Sequence, residues 1–121
     1  MTSYVLKNVS IVGGAATDLL INEGVIAQIG DGLNADQVID AKGCIALPGL
    51  VDLHTHLREP GKEDTETVLS GSKAAAIGGF TSVHAMANTN PVADNAGVVE
   101  QVWRLGKEAG LVDVRPVGAV T

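Results

Sequence analysis

After Pro48 the sequence settles into a rhythm that few folds can accommodate. GLVDLHTH (49–56) reads as a buried-type strand and TETVLSGSKAAAIGG as a helix. FTSVHAM is a second strand, and the next helix carries Val98, Val102, Leu105 and Ala109 on one stripe. VDVRPVGAV is a third strand. Strand, helix, strand, helix, strand predicts a parallel α/β sheet, because parallel neighbours must be joined by a crossover that a helix supplies. Asp64 is the expected cap of the first helix, with acids in its first turn. Val68, Leu69, Ser72, Ala75 and Ala76 form its inner face, and Gly78-Gly79 ends it. Asp94 is the expected cap of the second helix, and Gly110 closes it. A parallel sheet of only these strands would leave faces and edges open, so the pattern reads as the front part of a longer protein.

Residues 1–48 follow a different pattern. YVLKNVSIV, TDLLI, VIAQIG, QVID and GCIAL are short β segments punctuated by Gly13-Gly14 and by the turn NEG. They predict a small antiparallel sheet or half-sandwich with no helical period. The expected division is therefore a β-sandwich segment over 1–48 and an α/β segment over 49–121, with no internal repeat.

Composition narrows the function. Hydrophobic residues make up 45% and charged residues 18%, which suits a packed core. The net charge of -6 and an aromatic content of 2% argue against nucleic acid, which favours a basic surface and stacking rings. No apolar run approaches the ~18 residues of a membrane span. The start MTSYVLKNVS lacks the basic and apolar regions of a signal peptide, so a cytoplasmic location is expected. Cys44, the one cysteine, precludes an internal disulfide. Its apolar neighbours predict a small buried hydrophobe.

Two of the three histidines, His54 and His56, sit at the end of the first strand of the α/β part. Side chains at i and i+2 of a strand share a face, so the two imidazoles converge, with Asp52 further down the same face. Paired imidazoles suit zinc and its neighbours, and the C-terminal end of a parallel strand is where such sheets place their sites. A catalytic zinc usually has three protein ligands, and His84 lies mid-strand, where a buried, hydrogen-bonded role is expected. The remaining ligands are expected beyond Thr121. Arg58 brings a planar fork that can hold a carboxylate through two parallel hydrogen bonds. Asn88 leaves the end of the adjacent strand. Together they fit an anion pocket beside a metal.

GLVDLHTHLREPGKEDTETVLSGSKAAAIGGFTSVHAMANTNPVAD closely resembles the dihydroorotases of the amidohydrolase superfamily. Allantoinases usually have Asn in place of Arg58, and hydantoinases lack the REPG turn and the NTNP loop, so Arg58 with Asn88 resembles dihydroorotase. Ala87 departs from the proline often found before NT. The resemblance implies the start of a (β/α)8 TIM-type barrel preceded by a small β-sandwich segment. It implies reversible interconversion of N-carbamoyl-L-aspartate and L-dihydroorotate in pyrimidine synthesis, through attack of a metal-activated water on the ring amide. His54 and His56 would be ligands of one or two Zn2+ ions, and Arg58 and Asn88 would bind the substrate carboxylate. The general acid/base would lie beyond Thr121, leaving the 121 residues inactive alone. A homodimer or an assembly with aspartate transcarbamoylase is implied. A non-catalytic structural partner of that enzyme, or another cyclic amidase such as an allantoinase or hydantoinase, is the alternative.

Overall fold

The computed structural model describes residues 2–121, which divide into two compact units, one ending at Pro48 and one spanning Gly49–Thr121. The first unit contains β1 (Tyr4–Ile11), β2 (Ala16–Asn22), β3 (Val25–Gly30), β4 (Gln37–Asp40) and β5 (Ile45–Ala46). They form one sheet in the order β3-β2-β1-β4, with β5 also on β1. The antiparallel expectation holds for β1, β2 and β3, but β4 and β5 run parallel to β1. The sheet is mixed because the chain, instead of turning back after β3, crosses to the far edge of β1 before β4 begins.

Asp18 ties that crossing segment down. Its carboxylate accepts from Lys7 Nζ at 2.7 Å, from the Asn8 amide at 3.3 Å and from the Leu33 amide at 3.1 Å. A buried carboxylate is tolerated because it is paired and hydrogen-bonded. Around it Val9, Leu19 and Ala41 form the core, with Leu6, Ile21 and Ala46 packed against them. Cys44, in contrast to the expectation, is exposed. It stands in a turn, its amide donating to the Ala41 carbonyl at 2.9 Å, just before a strand too short to carry it inward.

The second unit contains β6 (Leu50–Thr55), α1 (Val68–Ile77), β7 (Phe80–Ala85), α2 (Ala96–Ala109) and β8 (Asp113–Pro116). Its strands lie in the order β6-β7-β8, all parallel. Leu57, Val68, Val83, Ala85, Val102 and Val114 form the core between sheet and helices. β6 pairs only with β7 among the described residues, so Leu50, Val51 and Leu53 are exposed where a buried strand was expected.

Both helix starts shift from their expected caps. Thr67, not Asp64, caps α1: Thr67 Oγ1 accepts from the Ser70 amide at 3.1 Å and Ser70 Oγ accepts from the Thr67 amide at 2.9 Å. This reciprocal pair satisfies two orphan donors, while residues 62–66 turn instead of winding, which leaves no acid in the first turn. On α1, Val68 and Ser72 are buried and Ala75 packs on the core, but Leu69 and Ala76 face outward. Asn95 caps α2, its Oδ1 accepting from the Val98 amide at 3.2 Å. Asp94, one residue earlier, accepts from Thr121 Oγ1 at 3.0 Å. Gly110 ends α2 in the left-handed conformation, φ 63°.

The Lys7 ammonium, with the Asn8 and Leu33 amides, holds the Asp18 carboxyl below its ordinary value of 3.8. Its contribution to stability is complete above the ordinary value and is lost as pH falls through the depressed one. Asp18→Asn is therefore expected to lower the thermal midpoint at about pH 7, with the gap from wild type closing towards about pH 2. Midpoints measured across that range check it, and an equal drop at both ends would contradict it.

Candidate metal centre

The two histidines come together at the C-terminal end of β6. Their ring centroids lie 5.2 Å apart, edge to face. His54 is exposed and His56 half-buried. The strand leading to them is irregular, because Asp52 pairs with Val83 but Thr55 pairs with Ala85. An extra residue on β6 therefore lies between those pairs, a bulge that re-aims the strand at its rim. Asp52 stays close to the pair. Its Oδ1 accepts from the His54 amide at 2.9 Å, and its side chain shares with His56 a cleft of about 280 Å³ that Glu66 and Leu57 also line.

Asn88 meets the pair from the neighbouring strand. Its Oδ1 lies 2.8 Å from His56 Nδ1. An amide oxygen can only accept, so in a hydrogen bond to Oδ1 the proton would sit on Nδ1 and the lone pair would be left on Nε2. That is the arrangement a metal-ligating imidazole needs, with one nitrogen anchored and the other free. The donor set thus fits a metal ion with His54 and His56 as ligands. Among the described residues no third His, Cys, Asp or Glu joins them in ligating position. His84 is half-buried and points Nδ1 at the Asp52 carbonyl, 3.4 Å away, outside the pair.

Arg58 follows in a left-handed backbone conformation, φ 63°, uncommon for a residue with a side chain. Its guanidinium has no hydrogen bond or ion pair among the described residues, whereas Glu59 turns away and accepts from the Val68 amide at the start of α1, 2.8 Å. Two contacts fix this loop. Leu57, between His56 and Arg58, is buried against Gly71 of α1, where a Cβ would stand 2.5 Å from Leu57 Cδ2. Gly61, φ +100°, lies against the loop that carries Asn88, and a Cβ there would stand 2.3 Å from the Asn90 carbonyl oxygen. The Asn90 amide also donates to the Pro60 carbonyl at 2.9 Å. The loops bearing Arg58 and Asn88 are thereby clamped together, although the two side chains themselves do not bond.

The sequence alone suggested neither the Asn88–His56 bond nor the loop clamp. Both depend on which strand ends are neighbours. The glycine at 61 in REPG was the one visible trace. A larger cleft, about 590 Å³, lies at the opposite end of β7 and β8, lined by Lys107, Asp113 and Arg115 among others. Its charges are spent on each other: Arg115 and Lys107 both bond Asp113 and hold its carboxyl below the ordinary range.

A parallel β/α unit with paired imidazoles at the rim of its first strand defines an α/β protein that builds its site at strand ends. Residues 43–121 match the family described as dihydro-orotase-like, and the chain belongs to that family. The family falls within the metal-dependent amidohydrolases. The chain is 58% identical over 123 residues to a dihydroorotase of Streptomyces coelicolor, a match covering 100% of this chain and 29% of that protein. It is 60% identical over 121 residues to a dihydroorotase of Leifsonia xyli, covering 98% of this chain and 28% of the relative. Among solved structures, the L-hydantoinase of Arthrobacter aurescens superposes with a TM-score of 0.80 at 27% identity, covering 98% of this chain and 28% of that one. The chain thus spans less than a third of the length of the curated relatives it matches. Among the described residues no helix is long and apolar enough to cross a membrane.

Gly61→Ala is expected to destabilise the protein by about 1–3 kcal/mol through backbone strain plus the collision with Asn90. Gly79→Ala, at φ +82° with open space around it, meets only the backbone strain. Urea unfolding of the two variants checks this, and equal losses would mean the loop contact contributes nothing.

Proposed function

We propose that β6, β7 and β8 are the first three strands of a (β/α)8 barrel, and that the whole protein is a zinc-dependent dihydroorotase of the cytoplasm. Its reaction is the reversible ring closure of N-carbamoyl-L-aspartate to L-dihydroorotate and water. The observation that carries this reading is the His54–His56 pair, centroids 5.2 Å apart at the rim of β6, with Asn88 beside it. The dihydroorotases of the family support the substrate, and the unpaired Arg58 guanidinium at the same rim suits its carboxylate.

In this reading His54 and His56 hold the metal through their neutral imidazoles, joined by ligands from later strands. Bound zinc supplies Lewis acidity toward the amide carbonyl and acidity to water. Arg58 takes the α-carboxylate by two parallel, charge-assisted hydrogen bonds, and the Asn88 amide donates to the same group. Both act by orientation: they turn the ring amide toward the metal and hold it there. Leu57 and the Gly61–Asn90 contact keep the two anion-binding side chains at a fixed separation.

Dihydroorotate carries a carboxylate and hydantoin does not. In the full chain, Arg58→Ala is expected to raise KM for dihydroorotate about 10–100-fold, the worth of one or two hydrogen bonds to a charged group. His54→Ala is expected to abolish turnover. Steady-state assays with both substrates check this. Unchanged KM in Arg58→Ala would remove the carboxylate role, and a wild type that turns over hydantoin but not dihydroorotate would overturn the substrate assignment.

A further inference from the structure

We propose that Asn88 is a positioning residue for His56: its side-chain oxygen locks the ring in the Nδ1–H tautomer, so that Nε2 is presented as a ready metal donor. The inference rests on the metal reading above and extends it from the ligands to the residue that sets one of them. Asn88 thereby joins the two halves of the site, since its oxygen serves the metal ligand while its NH2 group stays available to an anion.

Four observations carry this. The His56 Nδ1 to Asn88 Oδ1 distance is 2.8 Å, a full-strength hydrogen bond. Asn88 Nδ2 makes no hydrogen bond among the described residues, so one end of the amide is engaged and the other is free. Among the described residues His54 has no such partner on its ring; its backbone amide donates to Asp52 Oδ1. Finally, both segments are pinned on either side of the bond. The Met86 amide donates to the Thr55 carbonyl at 2.8 Å, and the Ala93 amide to the Ala87 carbonyl at 3.0 Å. Leu57 is buried immediately after His56. A half-buried imidazole and an exposed amide would normally exchange partners with water, but here the backbone holds them at bonding distance.

An imidazole without such a partner samples both tautomers and both ring orientations, and metal binding must select one. Removing an outer partner of a ligating histidine typically costs about 10–100-fold in metal affinity. The informative pair of variants is Asn88→Ala, which removes the acceptor, and Asn88→Asp, which keeps an acceptor but replaces the free NH2 by a second oxygen. Asn88 is exposed, so neither change disturbs the core.

The test combines two readouts on the full chain. The first is long-range nitrogen–proton NMR of histidine-labelled, metal-free protein, which distinguishes the Nδ1–H tautomer, the Nε2–H tautomer and the imidazolium for each ring. The second is zinc affinity by competition with a chromophoric chelator. Wild type is expected to show His56 as the Nδ1–H tautomer. Asn88→Ala should shift His56 away from it, leave His54 and His84 unchanged, and weaken zinc about 10–100-fold. Asn88→Asp should restore both tautomer and zinc affinity while binding carbamoyl-aspartate more weakly, because a carboxylate then faces a carboxylate. A His56 tautomer or zinc affinity unaltered in Asn88→Ala overturns the inference and leaves the metal reading standing. A wild type that binds no zinc overturns the metal reading itself, and the inference with it.

Discussion

The site rests on the pairing of β6 with β7. Parallel register brings the C-terminal ends of both strands to one rim, and the candidate site residues leave from that rim: His54 and His56 from β6, Asn88 from the segment after β7. Antiparallel pairing would put the Asn88 loop at the far end of the β6 strand. The crossover helix α1 enforces the direction, and its contact surface does a second task. Gly71 leaves room for Leu57, so the helix that makes the sheet parallel also fixes the residue between His56 and Arg58.

Much of this was legible in the sequence. The strand–helix alternation after Pro48 is a consequence of burying one stripe of each helix on a sheet, and the five elements appear in the expected order. His54 and His56 converge because residues two apart on an extended chain share a face. The pattern could not reveal matters decided by several competing local bonds. Thr67 outcompetes Asp64 as the α1 cap because Ser70 can return the hydrogen bond, a reciprocity that composition does not show. Asn95 takes the α2 cap from its neighbour Asp94 in the same way, by a one-residue difference in which side chain reaches Val98.

Three-dimensional neighbours were harder still. Strand parity shows neither the bulge between Asp52 and Thr55 nor the bond from the His54 amide to the Asp52 carboxylate. In the first unit, Asp31-Gly32 marks a turn after β3, but nothing in the pattern shows that the segment beyond it is held by the Leu33 amide on Asp18. The bond from Asn88 to His56 spans 32 residues in sequence, and periodicity carries no information at that separation. Residue type narrowed Asn88 to a polar role at the rim; only the fold assigns its oxygen to a ring nitrogen.

If the rim of β6 holds a metal through His54 and His56, the metal content of the protein must depend on those two residues. Zinc per chain would be measured by mass spectrometry after exhaustive dialysis, in the full-chain wild type and in the His54→Ala/His56→Ala double variant. At least about one zinc per wild-type chain is expected, the usual stoichiometry of a mononuclear hydrolase, and none in the double variant. A wild type free of metal, or a double variant that keeps its full complement, would contradict that reading.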